Sequence, residues 1–178
     1  MKRVLVVSYS QTGQLAAVTQ SVAAPLVDSP SVDVVFETLV PEEPYPFPWP
    51  FLEFFNTFPE TVHAMPRRLK PLRVDAERTF DLVILAYQVW FLSPSQPMMA
   101  FLQSSQAARL LSGTPVVTLI ACRNMWLMAQ ETVKQRLHAL GAHLIDNVVL
   151  TDRAHSAATF ISTPLWMLTG RRGPFLWG

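Results

Sequence analysis

Ser8-Tyr9-Ser10-Gln11-Thr12-Gly13-Gln14-Leu15 follows a short apolar run and opens a helical pattern. At a strand-to-helix turn these residue types make a phosphate cradle. Successive backbone N–H groups converge there, and the helix N-terminus adds partial positive charge. Ser10 and Thr12 bring hydroxyl donors, and Gly13 lets the backbone come close. There is no lysine, as a nucleoside triphosphate loop requires, and no GxGxxG dinucleotide fingerprint. Neutral donors alone suit a phosphate monoester. An ordinary polar turn fits the same residues, and at this level both readings stay open.

A second group is Ala121-Cys122-Arg123-Asn124-Met125-Trp126, which offers a cation, an amide and an indole. Arg123 can pair with a carboxylate or stay solvated, and Asn124 can line a pocket or cap the following helix. Cys122 is expected to face the core; a redox role needs an exposed, electropositive setting. A single cysteine excludes an intramolecular disulfide and multi-cysteine metal sites, and fits a reducing, cytoplasmic compartment. His155 stands as a general acid or base at a pocket mouth, or as polar surface. His63, His138 and His143 give no site, and neither a metal-ligand spacing nor a Ser-His-Asp arrangement is present.

These groups need elements to hold them. Val4–Ser8, Val32–Leu39, Asp81–Ala86, Pro115–Ala121 and His143–Leu150 read as strands, the first an unbroken apolar run. Gln14–Val27, Pro97–Leu111 and Trp126–Leu140 read as helices, with Asn124 as N-cap of the last and Gly141 as its stop. Such alternation means βαβ units, a parallel sheet and helices on both faces. Ligands then bind outside the carboxyl ends of the strands, in the loops at 8–14, 87–97 and 122–125.

Pro41–Pro71 breaks the rhythm. It holds eight of the fifteen prolines and an aromatic series from Tyr45 to Phe58. We expect an ordered excursion with a short helix over 51–56, either a cover over the sheet or an aromatic wall of a pocket or dimer contact.

Composition limits the rest. Of 178 residues, half are hydrophobic and 15% charged, which argues against disorder and leaves apolar surface for a pocket, a homodimer or peripheral membrane contact. The formal net charge of +1 gives no case for nucleic acid, although residues 1–60 carry −5 and residues 61–178 carry +6. Val4–Val7 is too short for a signal peptide. The uncharged stretches Leu82–Ala108 and Ala154–Gly170 are interrupted by prolines and read as buried or interfacial. Residues 1–150 form one domain, and 151–178 an apolar extension that is either the end of a fragment or a segment packed against something.

Ser10-x-Thr12-Gly13 after a first strand resembles the FMN phosphate loop of the flavodoxin-like superfamily. Tyr87-Gln88-Val89-Trp90-Phe91-Leu92-Ser93-Pro94-Ser95 is similar to the loop after strand three in its FMN-binding reductases. The resemblance implies a three-layer α/β/α sandwich with five parallel strands in the order 2-1-3-4-5. It implies FMN held by Ser10, Gln11, Thr12, Gly13, Gln14 and Leu15, with Gln88, Val89, Trp90 and Phe91 along the ring and Arg123 and Asn124 opposite. Arg123 would then face the flavin N1–O2 edge or a substrate carboxylate. It also implies NAD(P)H as electron donor and a quinone or enone substrate. Leu15 stands where the pattern has threonine, Gln88 where it has proline, and Leu92 where it has a glycine that permits positive φ. Leu92 is therefore expected to narrow or close the ring site. Together with Pro44–Trp49 and Ile120–Met128, these stretches resemble a bacterial subgroup labelled "dialkylresorcinol condensing enzyme", found with polyketide and aryl polyene pigment genes. Carbon–carbon condensation of that kind needs an acyl-accepting cysteine with histidine partners, and nothing of the sort surrounds Cys122. A flavin-free binding or scaffold protein on the same fold, for a pathway partner or a lipid-like polyene, is the competing expectation.

Overall fold

Runs of valine, leucine and isoleucine build strands that are buried on both faces. The computed structural model describes residues 1–152 and 156–171, less the side chains of 156–161 and 163. In chain order its elements are β1 (Lys2–Ser8), α1 (Gln14–Val27), β2 (Val32–Thr38), α2 (Phe51–Val62), β3 (Leu82–Trp90), β4 (Ser93–Pro94), α3 (Gln96–Leu102), α4 (Ser105–Leu111), β5 (Pro115–Cys122), α5 (Leu127–Ala139), β6 (His143–Thr151) and α6 (Ser156–Thr169). Five strands pair in parallel in the order β2-β1-β3-β5-β6. That is the expected 2-1-3-4-5 order, and β4 adds a short antiparallel pairing to β3.

The two-residue period of β1 divides the interior. Leu5 and Val7 join the larger core with Met98, Phe101, Leu110, Val133 and Leu137 from α3, α4 and α5. Val4 and Val6 turn the other way and pack with Leu15 of α1, Ile84 and Leu119. Helices thus cover both faces, as expected of three layers.

Four expectations need correction. The helix expected over 97–111 is two, broken at Gln103 and Ser104. Ser104 competes with the helix for its own backbone, and its hydroxyl accepts from Ala107 N–H at 3.0 Å as the N-cap of α4. The third strand runs on to Trp90, because Val89 and Trp90 pair back with Pro94 and Ser93 in a hairpin. The helix expected over 51–56 reaches Val62. Asn124 does not cap α5: its side chain accepts from Met125 N–H at 2.9 Å, and Trp126 takes the cap position without a side-chain bond.

The excursion lies over the carboxyl end of the sheet. Its return leg is fastened by the buried Glu37 carboxylate, which accepts from the N–H groups of Arg73 (3.1 Å) and Val74 (2.8 Å). α6 joins the same end: Trp49 N–H donates to Met167 O at 2.8 Å, and the Trp166 ring sits 5.2 Å from Phe47. Among the described residues no helix is long and apolar enough to cross a membrane.

Candidate functional site

The turn from β1 into α1 supplies the first wall of the site. Gly13 is the N-cap of α1 with φ +81°, a left-handed conformation that glycine adopts without cost. Its carbonyl accepts from Ala17 N–H at 3.0 Å, while the first-turn N–H groups have no carbonyl partner within the helix. The hydroxyls of Ser10 and Thr12 are buried and bonded to nothing in the protein. Native structures rarely leave such groups unsatisfied. Two orphaned donors beside a helix N-terminus fit a phosphate monoester, and so fit the FMN phosphate that the resemblance implies.

Two further expected roles in this loop are altered. Gln11 spends its side chain on the excursion: its Nε2 donates to Pro46 O at 2.6 Å, and its Oε1 accepts from Trp49 Nε1 at 3.3 Å. It clamps the aromatic cover to the loop and offers a ligand only its backbone. Leu15 is buried in the smaller core, so a hydroxyl donor is replaced by packing.

The hairpin after β3 supplies the second wall. Phe91 and Leu92 occupy its two turn positions with φ +48° and +65°. Two-residue hairpins favour φ > 0 at both positions, normally with Asn-Gly. The loop therefore keeps the left-handed shape of a glycine while carrying leucine, and the Leu92 side chain is half-exposed at the rim. The expected narrowing does not close the site: a cleft of about 920 Å³ remains, lined by Trp90, Phe91 and Leu92. Trp90 is held edge-on by Tyr9 (6.0 Å), Tyr45 (5.1 Å) and Trp49 (5.9 Å). Phe91 packs on Phe54 at 5.2 Å and Phe58 at 5.1 Å. The excursion is thus both a cover and a wall.

Arg123 and Asn124, after β5, line the same cleft. Of the twelve residues expected at the site, ten line this one cleft; Ser10 and Gly13 stand beside it in the cradle. Thr151, Asp152, Trp166 and Met167 also line it and were not foreseen. Thr151 ends the last parallel strand and Asp152 follows it, where such folds bind ligands. The α6 pair had no local signal. His155 lies outside the described residues.

Burial sets the ionisation states. Desolvation pushes the Tyr9 phenol up to about 12, against the Arg67 guanidinium, which draws it down. Tyr45 is raised for the same reason, with that guanidinium 4.5 Å from its ring centroid. Tyr87 is raised by burial and then by Cys122. Cys122 lines the cleft, and burial raises its pKa, so it presents a thiol and not a reactive thiolate. No group of three or more His, Cys, Asp or Glu among the described residues is placed to hold a metal ion.

No protein-family model and no curated protein matches the chain. Solved structures do. A flavoprotein from Lactobacillus acidophilus, crystallised in complex with FMN, is 14% identical with a TM-score of 0.65, over 84% of this chain and 93% of that one. A flavodoxin from the domain Archaea is 11% identical with a TM-score of 0.53, over 96% and 98%. The fold is flavodoxin-like. The apo form of the L. acidophilus flavoprotein also matches, at 14% identity and a TM-score of 0.55 over 86% and 94%. The flavodoxin-like likeness therefore reports architecture and not occupancy.

Proposed function

We propose that the chain binds FMN in this cleft and acts as an NAD(P)H-dependent reductase. The observation that carries the flavin is the pair of buried, unpartnered hydroxyls, Ser10 Oγ and Thr12 Oγ1, at the N-terminus of α1. They and the first-turn N–H groups would hold the phosphate without a cation. Trp90, Phe91, Arg123 and Asn124, which line the cleft, would border the ring. Bound flavin supplies hydride chemistry; the protein supplies binding, orientation and exclusion of water. The apolar, aromatic lining favours a flat, uncharged substrate such as a quinone or an enone. A place in polyketide or aryl polyene pigment formation rests on the subgroup resemblance alone.

Titration of the purified chain with FMN, followed by flavin fluorescence, tests the reading. FMN should bind far more tightly than riboflavin, which lacks the phosphate. Each hydrogen bond to a charged group is worth about 1.5–3 kcal/mol, so Ser10→Ala and Thr12→Ala should each weaken FMN roughly tenfold or more. Gly13→Asp should abolish binding by setting an anion against the phosphate. Equal affinity for FMN and riboflavin would overturn the assigned cradle. A flavin-free binding protein is the second reading, favoured by Leu15, whose side chain removes one of the usual donors. It predicts no change in fluorescence with either compound.

A further inference from the structure

We infer that the outward face of α2 is a self-association surface on which two copies of this chain pack about a two-fold axis. Phe51, Phe55, Phe58 and Val62 are spaced four, three and four apart, the seam of two packed helices. In a monomer that seam would face the core. Here it faces out: Phe51 is 63% exposed and Phe55 52%, whereas Thr57 and Thr61 are buried. The inversion has a local cause. Thr61 Oγ1 accepts from the buried Gln96 amide at 3.0 Å, and that amide's oxygen accepts from Tyr45 O–H. Polar contacts hold the inner face of α2 and leave the phenylalanines outside.

Leu52, Met65 and Leu92 widen the exposed apolar patch. Apolar surface exposed beyond a few hundred Å² marks an interaction site, and a standard interface takes about 800 Å² from each partner. Charge selects the occupant. Both carboxylates of α2 are engaged by the protein itself, Glu53 with Arg67 at 3.2 Å and Glu60 with the Gln96 amide at 3.4 Å. The helix has no lysine or arginine, the residues that seat an interfacial helix on a membrane. A face without outward charge meets its own copy without like-charge repulsion, as an isologous contact requires. Phe58 also supports Phe91, so the contact would border the rim of the cleft.

The proposal does not depend on what fills the cleft, and its readout is mass. Sedimentation of the full chain at micromolar concentration should give twice 20.0 kDa, with and without FMN. Phe55→Glu and Leu52→Glu, both at exposed positions, should halve that mass while keeping the far-ultraviolet circular dichroism of the parent. Phe36→Glu, exposed on β2 at the sheet edge, should leave the dimer intact. A parent chain of single mass overturns the proposal, and so does a dimer that survives both α2 substitutions. A monomer that sediments with phosphatidylserine vesicles through α2 overturns it in favour of a membrane.

Discussion

Leu92 holds a backbone conformation that its side chain resists. With φ +65° it brings Cβ close to its own carbonyl, at a cost of about 1–2 kcal/mol that glycine does not incur. Little packing offsets this, because the side chain is about half exposed at the rim. Leu92→Gly should therefore raise stability by about 1 kcal/mol, read as a higher denaturant midpoint with unchanged slope. A loss of stability would mean that the hairpin is not left-handed. The tyrosines give a second prediction at this scale. All three in the chain, Tyr9, Tyr45 and Tyr87, are raised by burial. A phenol whose folded pKa exceeds its unfolded value of 10.0 contributes stability that is complete below pH 10 and is lost as pH rises, through about 12 for Tyr9. Phenolate absorbance should stay flat through pH 10 and then appear together with unfolding. An early, non-cooperative rise near pH 10 would show that a tyrosine is solvated.

At the scale of elements, the parallel strands and α1 were legible because each announces itself locally. An unbroken apolar run makes a buried strand, and a stripe at 15, 18, 22 and 26 makes a helix on it. The break between α3 and α4 was missed because the apolar period continues across it, and only the capping habit of Ser104 marks the boundary. α2 was read too short, and its orientation was not legible for a tertiary reason. Its inner face is set by Gln96 and Tyr45, which lie outside the helix in sequence. Gln96 therefore decides how the excursion is seated. Gln96→Leu keeps the volume but strands the Tyr45 hydroxyl in the interior, while the Thr61 hydroxyl keeps its bond to Thr57 O at 2.7 Å. At about 1–3 kcal/mol for an unsatisfied buried group, it should cost about 2 kcal/mol in chemical denaturation and expose the excursion to proteolysis. Unchanged stability would mean that water satisfies that hydroxyl.

Over the whole molecule, the site is built from segments that the chain order keeps apart, and this separates what was legible from what was not. The cradle, the hairpin and the loop after β5 each carry their own residue pattern, so ten of their residues could be placed on one cleft. The walls from Trp49, Trp166 and Met167 had no such pattern. They reach the cleft because Gln11 holds the excursion and the Trp49 N–H holds α6. A ligand seated in the cradle thus touches elements from both ends of the chain, and it should stabilise the fold as a unit. At a hundredfold excess over Kd, linkage gives about 2.7 kcal/mol, which for a chain of this size is a rise in Tm of roughly 5–10 °C. FMN should produce that shift in the parent chain, and Gly13→Asp should erase it at the same FMN concentration. Gln11→Ala, which keeps the cradle and loosens the excursion, should lower Tm without ligand while retaining a shift. A shift in Gly13→Asp equal to that of the parent would place the flavin elsewhere on the molecule.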